Sequence, residues 1–191
     1  MGRTRLSTEE RRSQLLLLGR RAFAERAYED VALDDIAVEA GVTRTLVYHY
    51  FPTKRAFYLA TVRAASDELR SRTAPDPSLP ADQRLRARLD GFLDYISCNG
   101  STFRTLLRSA AGADPEVADV ASETRALLMA RVLEGLAIDV PSPALRIALR
   151  GWLGFVEAAI LEWIETRDLE RSAMRDLLAA SLASIVAAAT G

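Results

Sequence analysis

A glycine at position 41, set between two short segments that share an apolar seam, constrains this chain more than any other residue. The stretch 33–54, LDDIAVEAGVTRTLVYHYFPTK, reads as two helices joined by a tight turn. Gly41 follows the last residue of the first helix, where a left-handed backbone is cheap only for glycine. Ile36 and Ala37 fall on that helix's inner face, and Ala40 is small where the two helices must approach. Val42 plugs the corner. Thr43 offers a side-chain oxygen to the orphan N–H groups of the second helix. Val47 and Phe51, four apart, face inward. A buried seam, a turn glycine and a polar second helix form the layout of a helix-turn-helix.

The outward positions of the second helix are then informative. A plain helical hairpin fills them with Glu and Lys. Here they hold Arg44, Thr45, Tyr48 and His49, the only histidine, followed by Tyr50 and by Lys54, the only lysine. Arginine can pair with guanine O6 and N7 in the major groove, and threonine can touch a thymine methyl. The candidate DNA contacts are Thr43, Arg44, Thr45, Tyr48, His49, Tyr50 and Lys54. Lys54 opens the next helix, where its charge opposes the dipole and suits a phosphate partner. Arg3 and Arg5 either enter the minor groove or sit on a free arm. No partner residues surround His49 in sequence, so neither metal ligation nor base catalysis is expected of it.

Residues AGVTRTLVYHYFPTKRAF resemble the DNA-binding signature of the TetR family of transcriptional regulators. The resemblance covers roughly 15–59, through Leu15, Leu16, Ala22, Phe23, Tyr28, Ile36, Ala37, Ala40, Gly41, Val42, Tyr48, Tyr50, Phe51 and Lys54. It implies that Thr43, Tyr48, Tyr50 and Lys54 hold the phosphate backbone. It also implies a homodimer, a small apolar or amphipathic effector bound in the body, and a ligand-driven shift of the fourth helix that changes the spacing of two heads. Four positions depart from the family pattern. Ala27 replaces a glycine, Val31 and Ala32 stand where Thr and Ser or Thr usually open the second helix, and Leu46 replaces a small hydroxyl residue. A lost side-chain cap costs about 1 kcal/mol. Asp34 and Asp35 offset it by favouring the helix dipole.

Composition sets outer bounds. A chain of 191 residues, 49% hydrophobic and 27% charged, can close a full core. A single cysteine, Cys98, forbids an internal disulfide, and with one histidine it argues against a Cys/His zinc site. Cys98 is expected as a buried apolar filler. The N-terminus MGRTRLSTEERR does not read as a secretory signal. No apolar run is expected to reach transmembrane length, the longest, 151–164, being broken by Glu157 and Glu162. The expected setting is cytoplasmic, with no cofactor and no membrane. The net charge of −1 is unevenly distributed: residues 1–72 carry thirteen basic and ten acidic side chains, a net +3, which leaves −4 for the rest. A weakly basic head on an acidic body has the right sign for DNA binding by two heads together.

Patterning along the chain predicts an all-α protein of about nine helices and no strands. Ser7 and Glu10 have capping-box spacing, so the first helix spans about 8–26, with Gly19 allowing a neighbour close. Others are expected at 33–40, 43–51, 54–73 and 81–98, the last ended by Asn99-Gly100. Ser101 opens a short helix to about 111. Asp114-Pro115 and Ser142-Pro143 open helices to about 136 and 166, and the last covers about 170–189. The expected organisation is a DNA-binding head at 1–53 and a ligand-binding and dimerisation body at 54–191, with helix 54–73 as connector. Candidate pocket residues are Phe92, Tyr95, Ile96, Phe103, Leu107, Met129, Trp152 and Phe155, each also readable as plain core. Candidate interface residues are Trp152, Val156, Ala159, Ile160, Trp163, Leu178, Leu182 and Ile185, since two such helices from each of two copies would pack as a four-helix bundle. The pairs Glu157/Glu162 and Asp114/Glu116 read as a solvated face and a helix start.

These features point to a homodimeric, effector-responsive regulator, a repressor of a double-stranded DNA operator, and not an enzyme. The alternative is a helical small-molecule-binding or scaffolding dimer without DNA binding, which Val31, Ala32 and Leu46 favour.

Overall fold

The computed structural model describes residues 6–74, 76, 78–110 and 114–190, the side chains of 81, 82 and 105–110 excepted. Arg3 and Arg5 lie outside the described residues. Every regular element among them is helical: α1 Thr8–Glu25, α2 Leu33–Ala40, α3 Arg44–Tyr50, α4 Lys54–Arg72, α5 Ala81–Ala110, α6 Pro115–Gly135, α7 Pro143–Thr166 and α8 Arg171–Thr190, with one 3-10 turn at Tyr28–Asp30.

Local chemistry sets the helix ends. Ser7 and Glu10 form a reciprocal capping box: the Glu10 N–H donates to Ser7 Oγ at 3.2 Å, and the Ser7 N–H donates to Glu10 Oε2 at 2.7 Å. Thr43, Thr53 and Ser142 each accept from the backbone N–H three residues on. The Asp114 carboxylate takes the Glu116 N–H at 3.0 Å at the start of α6.

One boundary differs from the sequence reading. Asn99-Gly100 does not end α5, and Ser101 does not open a separate helix. Only Asn99 leaves helical geometry (φ −129°, ψ 22°), so two expected helices form one kinked α5 and the described residues hold eight α-helices. The kink is bridged locally, since Asn99 Nδ2 donates to the Tyr95 carbonyl at 3.1 Å. Gly100 serves close packing instead of termination. A Cβ there would lie 3.3 Å from Ile164 of α7.

The chain forms two compact units. One holds the described residues up to Asp67 together with Ser101–Ala121; the other holds Glu68–Gly100 and the residues from Ser122 onward. The first unit therefore extends beyond a head of 1–53. Leu15, Phe23, Ile36 and Val47 share one core with Phe57, Tyr58, Leu59 and Val62 of α4 and with Val117 and Val120 of α6. Three short helices have too little apolar surface to close a core alone, and these further elements supply it. Gly19 lets α1 and α4 meet: a Cβ there would sit 2.5 Å from Phe57 Cζ. In the same unit Arg55 of α4 grips the start of α6, its Nε 3.0 Å from Asp114 and its Nη1 2.8 Å from Glu116.

In the second unit α7 and α8, joined through 167–170, fold back on each other. Leu149, Trp152, Ile160, Trp163, Met174, Leu178 and Leu182 are buried. Glu157 is not merely solvated: it takes a bidentate pair of bonds from Arg125 of α6, at 2.6 and 3.1 Å. Cys98 is exposed rather than buried, because it falls on the face of α5 away from Phe92, Leu93 and Ile96. The expectation of no membrane-length apolar segment also needs correction. By length and composition α8 could cross a membrane, yet only 17% of its apolar window is buried within the chain. Its small side chains, mostly alanine, leave an open apolar face.

Candidate DNA interface and body cavity

The candidate DNA-contact surface begins with the turn. The backbone at Gly41 is left-handed (φ 64°, ψ 38°). Around it the Gly41 N–H donates to the Val38 carbonyl at 3.0 Å and the Val42 N–H to the Ala37 carbonyl at 2.9 Å, which is a Schellman closure. Ile36, Ala37 and Ala40 of α2 are buried against Val47 and Phe51, each at most 6% exposed. Val42 packs on the same core from its edge. With the seam sealed, α3 can only turn its other faces outward.

Those faces carry the expected residues. Thr43, Arg44, Thr45 and His49 are exposed, and Tyr48, Tyr50 and Lys54 are half-buried. Several are already engaged. Arg44 Nη1 lies 3.0 Å from Asp34 Oδ2, and its guanidinium sits 5.3 Å from the Tyr48 ring centre. Tyr50 Oη donates to the Thr8 carbonyl at 3.3 Å, which steadies the ring, and the His49 ring meets Tyr50 edge-on. Lys54 Nζ donates to the Glu29 carbonyl at 2.8 Å and lies 4.8 Å from the Tyr28 ring centre. An ammonium has three donors, so this anchorage holds Lys54 in place with capacity left for a phosphate oxygen. Thr43 Oγ1 accepts the Leu46 N–H and keeps its own hydroxyl proton to donate. Asp34 and Tyr28 are partners that the sequence reading had not assigned to Arg44 and Lys54. Asp34 lies ten residues away, on the preceding helix, and only the turn at Gly41 brings it alongside.

The second unit holds an apolar cavity of about 540 Å3, its mouth included. Of the pocket residues expected from sequence, Phe92 and Trp152 stand on its wall. Tyr95 and Ile96 are sealed in the core, at 2% and 0% exposure. Phe103 belongs to the other compact unit. Met129 is half-buried off the wall, Phe155 is 38% exposed, and the Leu107 side chain lies outside the described residues. Leu85, Leu89, Leu128 and Val132 complete the apolar lining, and Arg88, Arg131 and Thr73 interrupt it. The two arginines had a legible signal. Arg88 stands three residues after Leu85 and four before Phe92, and Arg131 three after Leu128, so both are cations inside apolar stripes.

The expected interface residues fare differently. Trp152, Val156, Ile160, Trp163, Leu178 and Leu182 are buried within their own chain, and the Trp152 indole N–H donates to Ser181 Oγ at 3.0 Å. They form the α7–α8 core and have no surface to offer a second copy. Ala159 and Ile185 are half-buried. The open face of the pair instead runs through Ala144, Ile147, Ala148, Gly151, Ile185 and Ala188, with Ile147 71% exposed and open space beside Gly151.

Among the described residues no three of His, Cys, Asp and Glu gather as a metal site would need. Likenesses to known proteins agree with the geometry. Residues 15–61 match the family described as "Bacterial regulatory proteins, tetR family", and 81–185 match "Tetracyclin repressor-like, C-terminal domain". The chain is 34% identical over 116 residues to the HTH-type transcriptional activator FasR of Mycolicibacterium smegmatis, which covers 60% of this chain and 53% of that protein, about half its length. It is 28% identical over 152 residues to the HTH-type transcriptional regulator BetI of Stenotrophomonas maltophilia, covering 77% and 78%. Among solved structures, a tetR-family transcriptional regulator from Streptomyces coelicolor superposes with a TM-score of 0.86 at 29% identity, over 96% of this chain and 83% of that one. These relatives are transcriptional regulators, not enzymes.

Proposed function

The chain belongs to the TetR family of bacterial regulatory proteins, and on that premise we propose that it is a cytoplasmic, effector-responsive repressor that binds a palindromic operator as a homodimer. The observation that carries the reading is the outward face of α3: Thr43, Arg44, Thr45 and His49 stand clear of a seam that leaves that helix one orientation. Two such helices reach successive major grooves when held about 34–36 Å apart. The open apolar face of α7 and α8 supports pairing of two copies through it. A small apolar or amphipathic effector in the body cavity then acts on α4, whose last turn and the following residue, through the Arg70 carbonyl and Thr73, meet the cavity wall at Arg131. A coupling of about 1–3 kcal/mol changes operator affinity by roughly one to two orders of magnitude.

Fluorescence anisotropy against the intergenic DNA upstream of its own gene tests this directly. Sequence-selective binding that weakens steeply with salt is expected. Absence of such binding with and without candidate effectors would favour a helical binding or scaffolding dimer instead. The opposite sign of regulation has one specific support, since the relative from Mycolicibacterium smegmatis is named an activator. Transcription in vitro from the same DNA separates the two: repression lowers transcript on adding protein, activation raises it.

A further inference from the structure

The body cavity is apolar on most of its wall, with Leu85, Leu89, Phe92, Leu128, Trp152 and Val156 among its lining, yet two arginines stand on the same wall. The Arg88 side chain is 11% exposed, and its Nε is buried with no hydrogen-bond partner among the described residues. Its Nη1 donates to the Arg131 carbonyl, which ties the two residues together. Arg131 reaches the Arg70 carbonyl at 2.7 Å and Thr73 Oγ1 at 2.6 Å, both through Nη1, which leaves Nε and Nη2 as donors. The nearest acid is Glu134, 3.5 Å from Arg88 Nη2 and 63% exposed. Positive charge is thus in excess. Burial first, and then Arg88 and Arg70, press the Arg131 pKa below the ordinary arginine value, with Glu134 acting the other way. Desolvated guanidinium donors beside an apolar void lower their free energy by taking an anion that brings an apolar body with it.

Resting on the reading of this cavity as the effector site, we infer that it takes an amphipathic anion, an aliphatic chain ending in a carboxylate, with the carboxylate on Arg88 and Arg131 and the chain along Phe92 and Trp152. Engaging Arg131 competes with its hold on Arg70 and Thr73, so the anionic group is also the part of the ligand felt at the end of α4.

Octanoate and 1-octanol are matched probes that differ in charge, used on the full chain below micellar concentration with calorimetry and tryptophan fluorescence as readouts. Octanoate is expected to bind at least tenfold more tightly than octanol. Arg131→Gln should bring the two affinities together by weakening octanoate, and Arg131→Lys should keep part of the preference. Leu128→Trp, which fills the void, should abolish both. Equal affinity of the wild type for the two probes overturns the anion subsite and leaves the cavity reading standing. Binding of neither probe overturns the cavity reading with it. Retention of both in Leu128→Trp places the binding elsewhere and overturns the assignment.

Discussion

Arg44 is held by an acid of its own chain. The Asp34 pair is more than half exposed on both sides, so it is worth well under about 1 kcal/mol to the fold, but it places a negative charge beside the face proposed to meet DNA. Asp34→Asn is expected to raise operator affinity roughly threefold to tenfold at low salt, an effect that fades as salt screens it. Anisotropy titrations at two salt concentrations check this, and an unchanged affinity would remove Arg44 from the contact set. Tyr48→Ala and Lys54→Ala are each expected to weaken binding by about tenfold, the size of one lost charge-assisted or ring-supported phosphate contact. Lys54→Ala also loses the Glu29 carbonyl and the Tyr28 ring, so its melting temperature should be recorded beside its affinity. Normal affinity in both variants would mean that the phosphate contacts lie elsewhere.

At the scale of elements, two helix ends use the same closure with different residues. After α2 the left-handed position is Gly41; after α6 it is Ala137, at φ 55°. There the Ala137 N–H donates to the Glu134 carbonyl at 3.1 Å and the Ile138 N–H to the Leu133 carbonyl at 3.0 Å. A left-handed alanine costs about 1–2 kcal/mol. Gly41→Ala should therefore lower the melting temperature by a few degrees and Ala137→Gly should raise it by about as much, near 2–4 °C per kcal/mol at this chain length. Calorimetry decides, and shifts of the same sign would contradict the shared geometry. The clasp between α4 and α6 predicts a pH dependence. The Arg55 side chain, foremost, holds the Asp114 carboxyl below its ordinary value. That stabilisation is present above the unfolded carboxyl pKa, about 4, and is lost as pH falls through the lowered folded value. Arg55→Gln should flatten this part of the acid limb of stability below about pH 4 and leave the slope near neutrality unchanged, as denaturant melts across that range would show.

For the whole molecule, the distinction between core and interface is open to test. Ile160 is fully buried and Ile147 is 71% exposed on the open face. Ile160→Asp buries an unpaired charge and should unfold the body, at a cost above about 4 kcal/mol. Ile147→Glu combined with Gly151→Arg should leave a folded monomer by circular dichroism and sedimentation, with operator binding lost because the heads are no longer paired. A dimer surviving that double variant would move the interface off this face.

The head was legible from the chain alone because its determinants are local. The capping box at Ser7, the turn at Gly41 and the spacing of Val47 and Phe51 each act within a few residues, so their pattern predicts the outward identity of Arg44, Thr45 and His49. The extent of the first unit was less legible, because Val117 and Val120 join its core from more than forty residues beyond the end of α4. In the body, an apolar stripe says which side of a helix turns inward but not what it meets there. Phe92 and Ile96 sit one turn apart on the same stripe, and one lines a void while the other is sealed. Trp152 and Ile160 read equally well as core or as interface until α8 folds over them. Sequence by itself determined most helix ends, the turn and the outward face of α3, through bonds and contacts between near neighbours. Only the tertiary structure decided where the cavity lies, which arginines reach it and which apolar face stays open, because those depend on the register between helices far apart in the chain.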